Sequence, residues 1–137
     1  MPNPLVIKIA KVIMEWDIET FPSGSIFAYD HNGKRLSLYS PFYRYSWDPT
    51  TNNDDMDRVV ERMRNIGFNF RLEYNKKNKY TNDEHVYAVF IGEKYAFSGT
   101  SKEKLAAITK ALKDFIDFKE ALQNETKHTE VGLNESY

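Results

Sequence analysis

The chain has 137 residues, 19 basic against 20 acidic for a formal net charge of −1, 41% apolar and 28% charged residues, and no cysteine. That length suits one domain with a sizeable core. The near-neutral balance gives no overall field for nucleic acid or anionic lipid, and the missing cysteine excludes disulfides, thiolate catalysis and Cys-based zinc sites. No apolar run reaches the ~18 residues of a membrane span. The N-terminus lacks the basic, apolar, small-residue order of a secretory signal, so a soluble globular protein is expected.

Residues 4–16 predict a helix. Asn3 and Pro4 suit its cap and first turn, and Leu5, Ile9, Val12, Ile13 and Trp16 recur on one helical face. The β-branched content keeps a buried strand as the alternative, but Lys8, Lys11 and Glu15 fall where a helix exposes them. Residues 17–25 read as a loop around Pro22, Ser23 and Gly24. Residues 26–39 predict a β-hairpin, with Ile26, Ala28 and Asp30 on one side of the first arm and Leu36 and Leu38 on the second. Asn32-Gly33 predicts a type I′ turn, because both residues tolerate positive φ. His31, beside the turn, is expected to be solvated.

Residues 39–47 hold five aromatics, Tyr39, Phe42, Tyr43, Tyr45 and Trp47, with Arg44 among them. Such a run is either packing of a long connection or a surface that stacks a base, lines a small-ligand pocket or meets a partner. Phe42, Tyr43, Arg44, Tyr45 and Trp47, together with Arg71, are the candidate ligand- or partner-binding residues.

A second helix follows, with Met56, Val59, Val60, Met63 and Ile66 as its apolar stripe. Asn52, Asn53, Asp54 and Asp55 suit its N-terminal cap, and Gly67 its stop. A calcium loop starting at Asp48 fails, since Asn53 stands where the sharp-turn glycine is needed and Val59 where a bidentate Glu is needed. Arg58, Arg62, Arg64, Arg71, Lys76, Lys77 and Lys79 against Glu61 and Glu73 leave a local excess of +5 (seven minus two). Such an excess is a phosphate-binding face or, more often, a solvated one.

Residues 68–74 alternate as a half-buried strand, with Phe68, Phe70, Leu72 and Tyr74 on one side. A polar loop over 75–84 leads to an apolar strand opened by His85, a turn at Gly92-Glu93 and a short return strand over 94–97. The last helix is expected from Thr100, which forms a capping box with Glu103. Leu105, Ile108, Leu112, Phe115, Ile116 and Leu122 keep its period. Residues 1–122 form one domain in this reading, and 123–137 a loosely held polar tail in which His128 has no role. The order α-β-β-α-β-β-β-α predicts an α+β fold with about five mostly antiparallel strands and three helices.

Three pieces, KIAKVIMEW, YSWDPTTNNDDMDRVVERMRNIGFNF and VYAVFIGEKYAFSGTSKEKLAAITKAL, appear in an order that resembles the phage ABA-sandwich domain family, small proteins of phages and prophages of Gram-positive bacteria. The matching features are Trp16 at the helix exit, Trp47 with Pro49 and Thr50 in a turn, residues 59–64, and residues 100–112. The resemblance covers roughly residues 6–118; the aromatic run before Trp47 stands outside the family pattern. It implies an α/β/α sandwich, phage origin and expression in the host cytoplasm. It supplies no established activity and no catalytic residues.

Catalysis needs a base near a nucleophile, a metal or convergent carboxylates. The chain offers three scattered histidines, no cysteine, no Gly-rich phosphate loop and no G-x-S-x-G elbow, so no enzyme, metal or cofactor is expected. The expected function is a non-enzymatic phage accessory protein that binds a host or phage protein, or itself as a homo-oligomer. The alternatives are a small-ligand binder that sequesters a nucleotide-type signal and a weak nucleic-acid-binding module. No membrane partner is expected.

Overall fold

Asn3 caps the first helix in the computed structural model, its side-chain oxygen accepting the Leu5 amide at 3.0 Å with Pro4 in the first turn. The structure describes residues 2–42, 45–75 and 85–135. Helix α1 (Pro4–Lys8) passes directly into a π-helical segment (Ile9–Ile13). Ile9, Ala10, Ile13 and Met14 of this segment and its exit are all buried. Glu15 then takes a left-handed conformation at φ 56°, which costs a residue with a Cβ about 1–2 kcal/mol. Trp16 follows into the core.

The first sheet is antiparallel in the order β1 (Asp17–Thr20), β2 (Ile26–Tyr29), β3 (Arg35–Tyr39). Residues 17–20 are therefore a strand and not a loop. The two hairpins turn in the same way. Phe21 pairs with Ser25 and Asp30 with Lys34 across three-residue loops, each ending in a left-handed glycine, Gly24 at φ 92° and Gly33 at φ 79°. Asn32 does not share that conformation, so the type I′ expectation at Asn32-Gly33 gives way to a type I turn followed by a left-handed glycine. The cause is Asp30, whose carboxylate accepts the Asn32 and Lys34 amides at 2.9 and 2.8 Å and closes the turn.

Helix α2 (Asn53–Asn65) starts at Asn52, which accepts the Asp55 amide at 3.0 Å, and stops before Gly67 at φ 111°. Met56, Val59, Val60 and Met63 are buried as the stripe predicts, while Ile66 stays exposed at the helix end. The second sheet is antiparallel in the order β4 (Asn69–Asn75), β5 (His85–Ile91), β6 (Ala96–Ser101). Phe70, Phe90 and Phe97 stand side by side across it. The expected polar loop over 75–84 lies, from residue 76 on, outside the described residues.

Helix α3 (Lys104–Glu135) packs on β5 and β6. Thr100 lies in β6, so it is not the cap of this helix; its carbonyl accepts the Lys110 Nζ at 3.0 Å. The expected tail continues as helix to Glu135. The α+β class and the order of helices and strands are as expected, with six strands in two sheets of three among the described residues where about five were expected. One cluster of buried side chains takes members from all three helices and both sheets.

Gly99 sets how closely α3 approaches the sheet. A Cβ there would sit 2.3 Å from the Ala107 carbonyl oxygen and 2.7 Å from the Ala111 nitrogen, both backbone atoms of α3. Gly99→Ala should therefore destabilise the fold by about 3 kcal/mol, at the upper end for overpacking, as read from the urea midpoint; Gly24→Ala meets no atom within 4 Å and tests φ strain alone.

Candidate functional site

The end of the first helix, the β2–β3 turn, the connection 40–52 and α2 converge on two tryptophans. Trp16 and Trp47 meet edge to face with centroids 4.9 Å apart at 61°. The Arg58 guanidinium lies 4.8 Å over the Trp16 ring. Arg58 also pairs at 3.2 Å with Asp30, whose side chain is almost wholly buried. One helical turn on, the Arg62 Nε–H donates to the Ile13 carbonyl at 3.0 Å and its NH2 group to Glu15 at 3.1 Å. Left-handed Glu15 and the widened helix end are thus both held by α2.

A cleft of about 330 Å³ opens here, lined by Met14, Trp16, His31, Arg58, Arg62 and Asn65 among others. His31 reaches back from the turn to the Met14 carbonyl, 3.2 Å from its Nε2. A carbonyl only accepts, so Nε2 carries the proton in this contact. The turn histidine is exposed, as expected, and this contact also ties it to the helix exit. The Lys34 amide, with that of Asn32 and the Arg58 guanidinium, holds the Asp30 carboxyl below the ordinary range against the opposing effect of burial.

A second cleft, also about 330 Å³, is lined by Leu36, Ser37, Tyr45, Ser46, Trp47, Asn52 and Asp55. The chain leaves β3 at Ser40, where the Ser40 hydroxyl accepts the Phe42 amide at 3.1 Å. It returns where the Trp47 amide donates to the Ser37 carbonyl at 2.7 Å. Phe42 and Tyr45 lie on this excursion, 74% and 92% exposed, while Trp47 at its root is 7% exposed. The Trp47 Nε1 is buried without a hydrogen-bond partner among the described residues.

Of the sequence candidates, Tyr45 and Trp47 come to one cleft, and Phe42 stands exposed on the same excursion. Tyr43 and Arg44 lie outside the described residues. Arg71 is in β4, on the other sheet, 3.7 Å from Glu73. Within the basic stretch 58–79, Arg58, Arg62, Arg64 and Arg71 pair with Asp30, Glu15, Glu61 and Glu73, and the three lysines lie outside the described residues. Trp16, Asp30, His31, Arg58 and Arg62 were not among the candidates. Arg58 and Arg62 stand four apart, which puts both on one face of α2, but no local signal pointed to Trp16, Asp30 or His31 as their partners.

Among the described residues no group of three or more His, Asp or Glu is placed to hold a metal, and no helix is long and apolar enough to cross a membrane. No family model, curated protein or solved structure matches the chain.

Asp30 gives the site a pH signature. Its folded pKa lies below the ordinary value, near 3.9 in an unfolded chain. The stabilisation from its charged form is therefore complete above about pH 4 and is lost as pH falls through the lower folded value. Asp30→Asn should lower the melting temperature at pH 7, and its deficit against the wild type should shrink as pH falls below about 4 through the lower folded value.

Proposed function

We propose that this chain is a small binding protein that docks on another protein through the aromatic excursion between β3 and α2. The carrying observation is the contrast along one short segment: Phe42 and Tyr45 stand 74% and 92% exposed, while Trp47 is buried and fixes the root. Large exposed aromatics on an anchored backbone present apolar area with little ordering cost, and Tyr and Trp dominate the energetics of protein interfaces. Binding rather than catalysis fits the charges at the neighbouring cleft, since Asp30 and Glu15 are engaged by Arg58 and Arg62. The resemblance of the sequence to the phage ABA-sandwich family favours an accessory protein acting in a host cytoplasm, with a host or phage protein as partner.

A second reading has its own support. The cleft at Trp16, Arg58 and Arg62 places an aromatic ring and two guanidinium groups around about 330 Å³, the elements that hold a small planar or anionic ligand. It ranks second because both guanidinium groups already have carboxylate partners.

Immobilised full-length chain and its Phe42→Ala/Tyr45→Ala variant, exposed to lysate of a Gram-positive bacterium, test the first reading. A protein retained by the wild type and lost at least about tenfold by the variant is expected; identical capture by both overturns it. Native mass spectrometry of the chain from a bacterial host addresses the second, where a reproducible small-molecule adduct is the expected sign.

A further inference from the structure

Strand β4 is the outer strand of its sheet, paired with β5 on one side and with no strand on the other among the described residues. The hydrogen-bond phase of its open edge can be worked out. Gly92 N–H donates to the Tyr95 carbonyl at 2.8 Å and closes the β5–β6 turn. Counting back by twos, Phe90, Ala88 and Val86 direct their backbone groups to β6, and Ile91, Val89, Tyr87 and His85 direct theirs to β4. The register partners of these last four are Asn69, Arg71, Glu73 and Asn75. Phe70, Leu72 and Tyr74 therefore carry their N–H and C=O groups on the open edge.

The same seven residues, NFRLEYN, are complementary to their own reverse. Turned about Leu72, Asn69 meets Asn75, Phe70 meets Tyr74, and Arg71 meets Glu73. We infer that β4 pairs antiparallel with β4 of a second copy of this chain, about a two-fold axis at Leu72, joining two three-stranded sheets into one. In that register the three residues with open backbone groups face one another and exchange about six hydrogen bonds.

Charge selects this register from its neighbours. Arg71 stands opposite the partner's Glu73, and two-fold symmetry repeats the pair. Both fall at positions without direct backbone bonds, where facing side chains come closest. An axis at Arg71 or at Glu73 instead sets like charges against each other, and a slip by one residue mismatches the two faces of the sheet. The exchange costs little: Arg71 and Glu73 are 65% and 46% exposed and now meet only at 3.7 Å along one strand. Tyr74, 66% exposed, gains the partner's Phe70 as its cross-strand neighbour. The strand has neither Lys nor Pro and no register shift against β5, so its charges, Arg71 and Glu73, are the ones that the pairing itself matches.

Sedimentation equilibrium of the full chain tests the pairing. The wild type should show a reversible monomer–dimer equilibrium with a dissociation constant on the order of 10–100 µM, as suits an interface smaller than a standard one. Arg71→Glu and Glu73→Arg, each of which creates two like-charge pairs, should each weaken it about tenfold. The double reversal R71E/E73R restores opposite charges and should restore the wild-type constant, which also shows that the substituted strand folds. A wild type that stays monomeric throughout, or single reversals without effect on the dimer, overturns the proposal.

Discussion

Trp16 is the side chain on which the first half of the molecule is fastened. Its ring meets that of Trp47 edge to face and lies under the Arg58 guanidinium. It reaches that position because the helix before it widens and Glu15 takes a left-handed backbone turn. The unfavourable conformation persists because Arg62 grips both sides of it, the Ile13 carbonyl and the Glu15 carboxylate. Arg58 and Arg62 lie one turn apart on α2, so a single helix face locks the helix exit and the β2–β3 turn together. The chain rejoins Ser37 at Trp47 against this fastened group, while Phe42 and Tyr45 stay exposed.

The second half is organised around the packing of α3 on its sheet. At one point β6 comes close to the backbone of α3, with Gly99 against Ala107, Lys110 and Ala111. Phe68, Phe97, Phe115 and Phe118 pack together, with ring centroids 5.2 to 5.9 Å apart. Gly99 thus limits the depth of the helix on the sheet, and the four rings fill the space beside that close approach. The Arg71 and Glu73 side of β4 stays open.

What the sequence disclosed was mostly local. Asn3, Asn52, Gly67 and the stripe of Met56, Val59, Val60 and Met63 act within a few residues of themselves, and each does what its position suggests. Strand β1 escaped notice because Asp17, Glu19 and Thr20 are exposed and polar; only its pairing with β2 makes it a strand. The turn type at Asn32-Gly33 was decided by the carboxylate of Asp30, and the start of α3 by a strand that runs on past Gly99. The cleft depends on contacts 28 and 47 residues apart, Arg58 to Asp30 and Arg62 to Glu15, which no local pattern announces. Tyr45 and Trp47 were visible as aromatics; that one is exposed and the other buried follows from where the backbone rejoins Ser37.

The two tryptophans of this chain occupy a single junction, in contact with each other and with a cation. Their emission is therefore a local probe, reporting whether the first helix is still fastened to α2. The sheet of β4, β5 and β6 with α3 holds only phenylalanine and tyrosine and is dark to it. A fluorescence melt laid over a far-ultraviolet circular dichroism melt thus compares one half of the molecule with the whole. Coincident curves mean that the shared core makes both sheets one cooperative unit, and separated curves mean that the second sheet and the tryptophan junction come apart in turn.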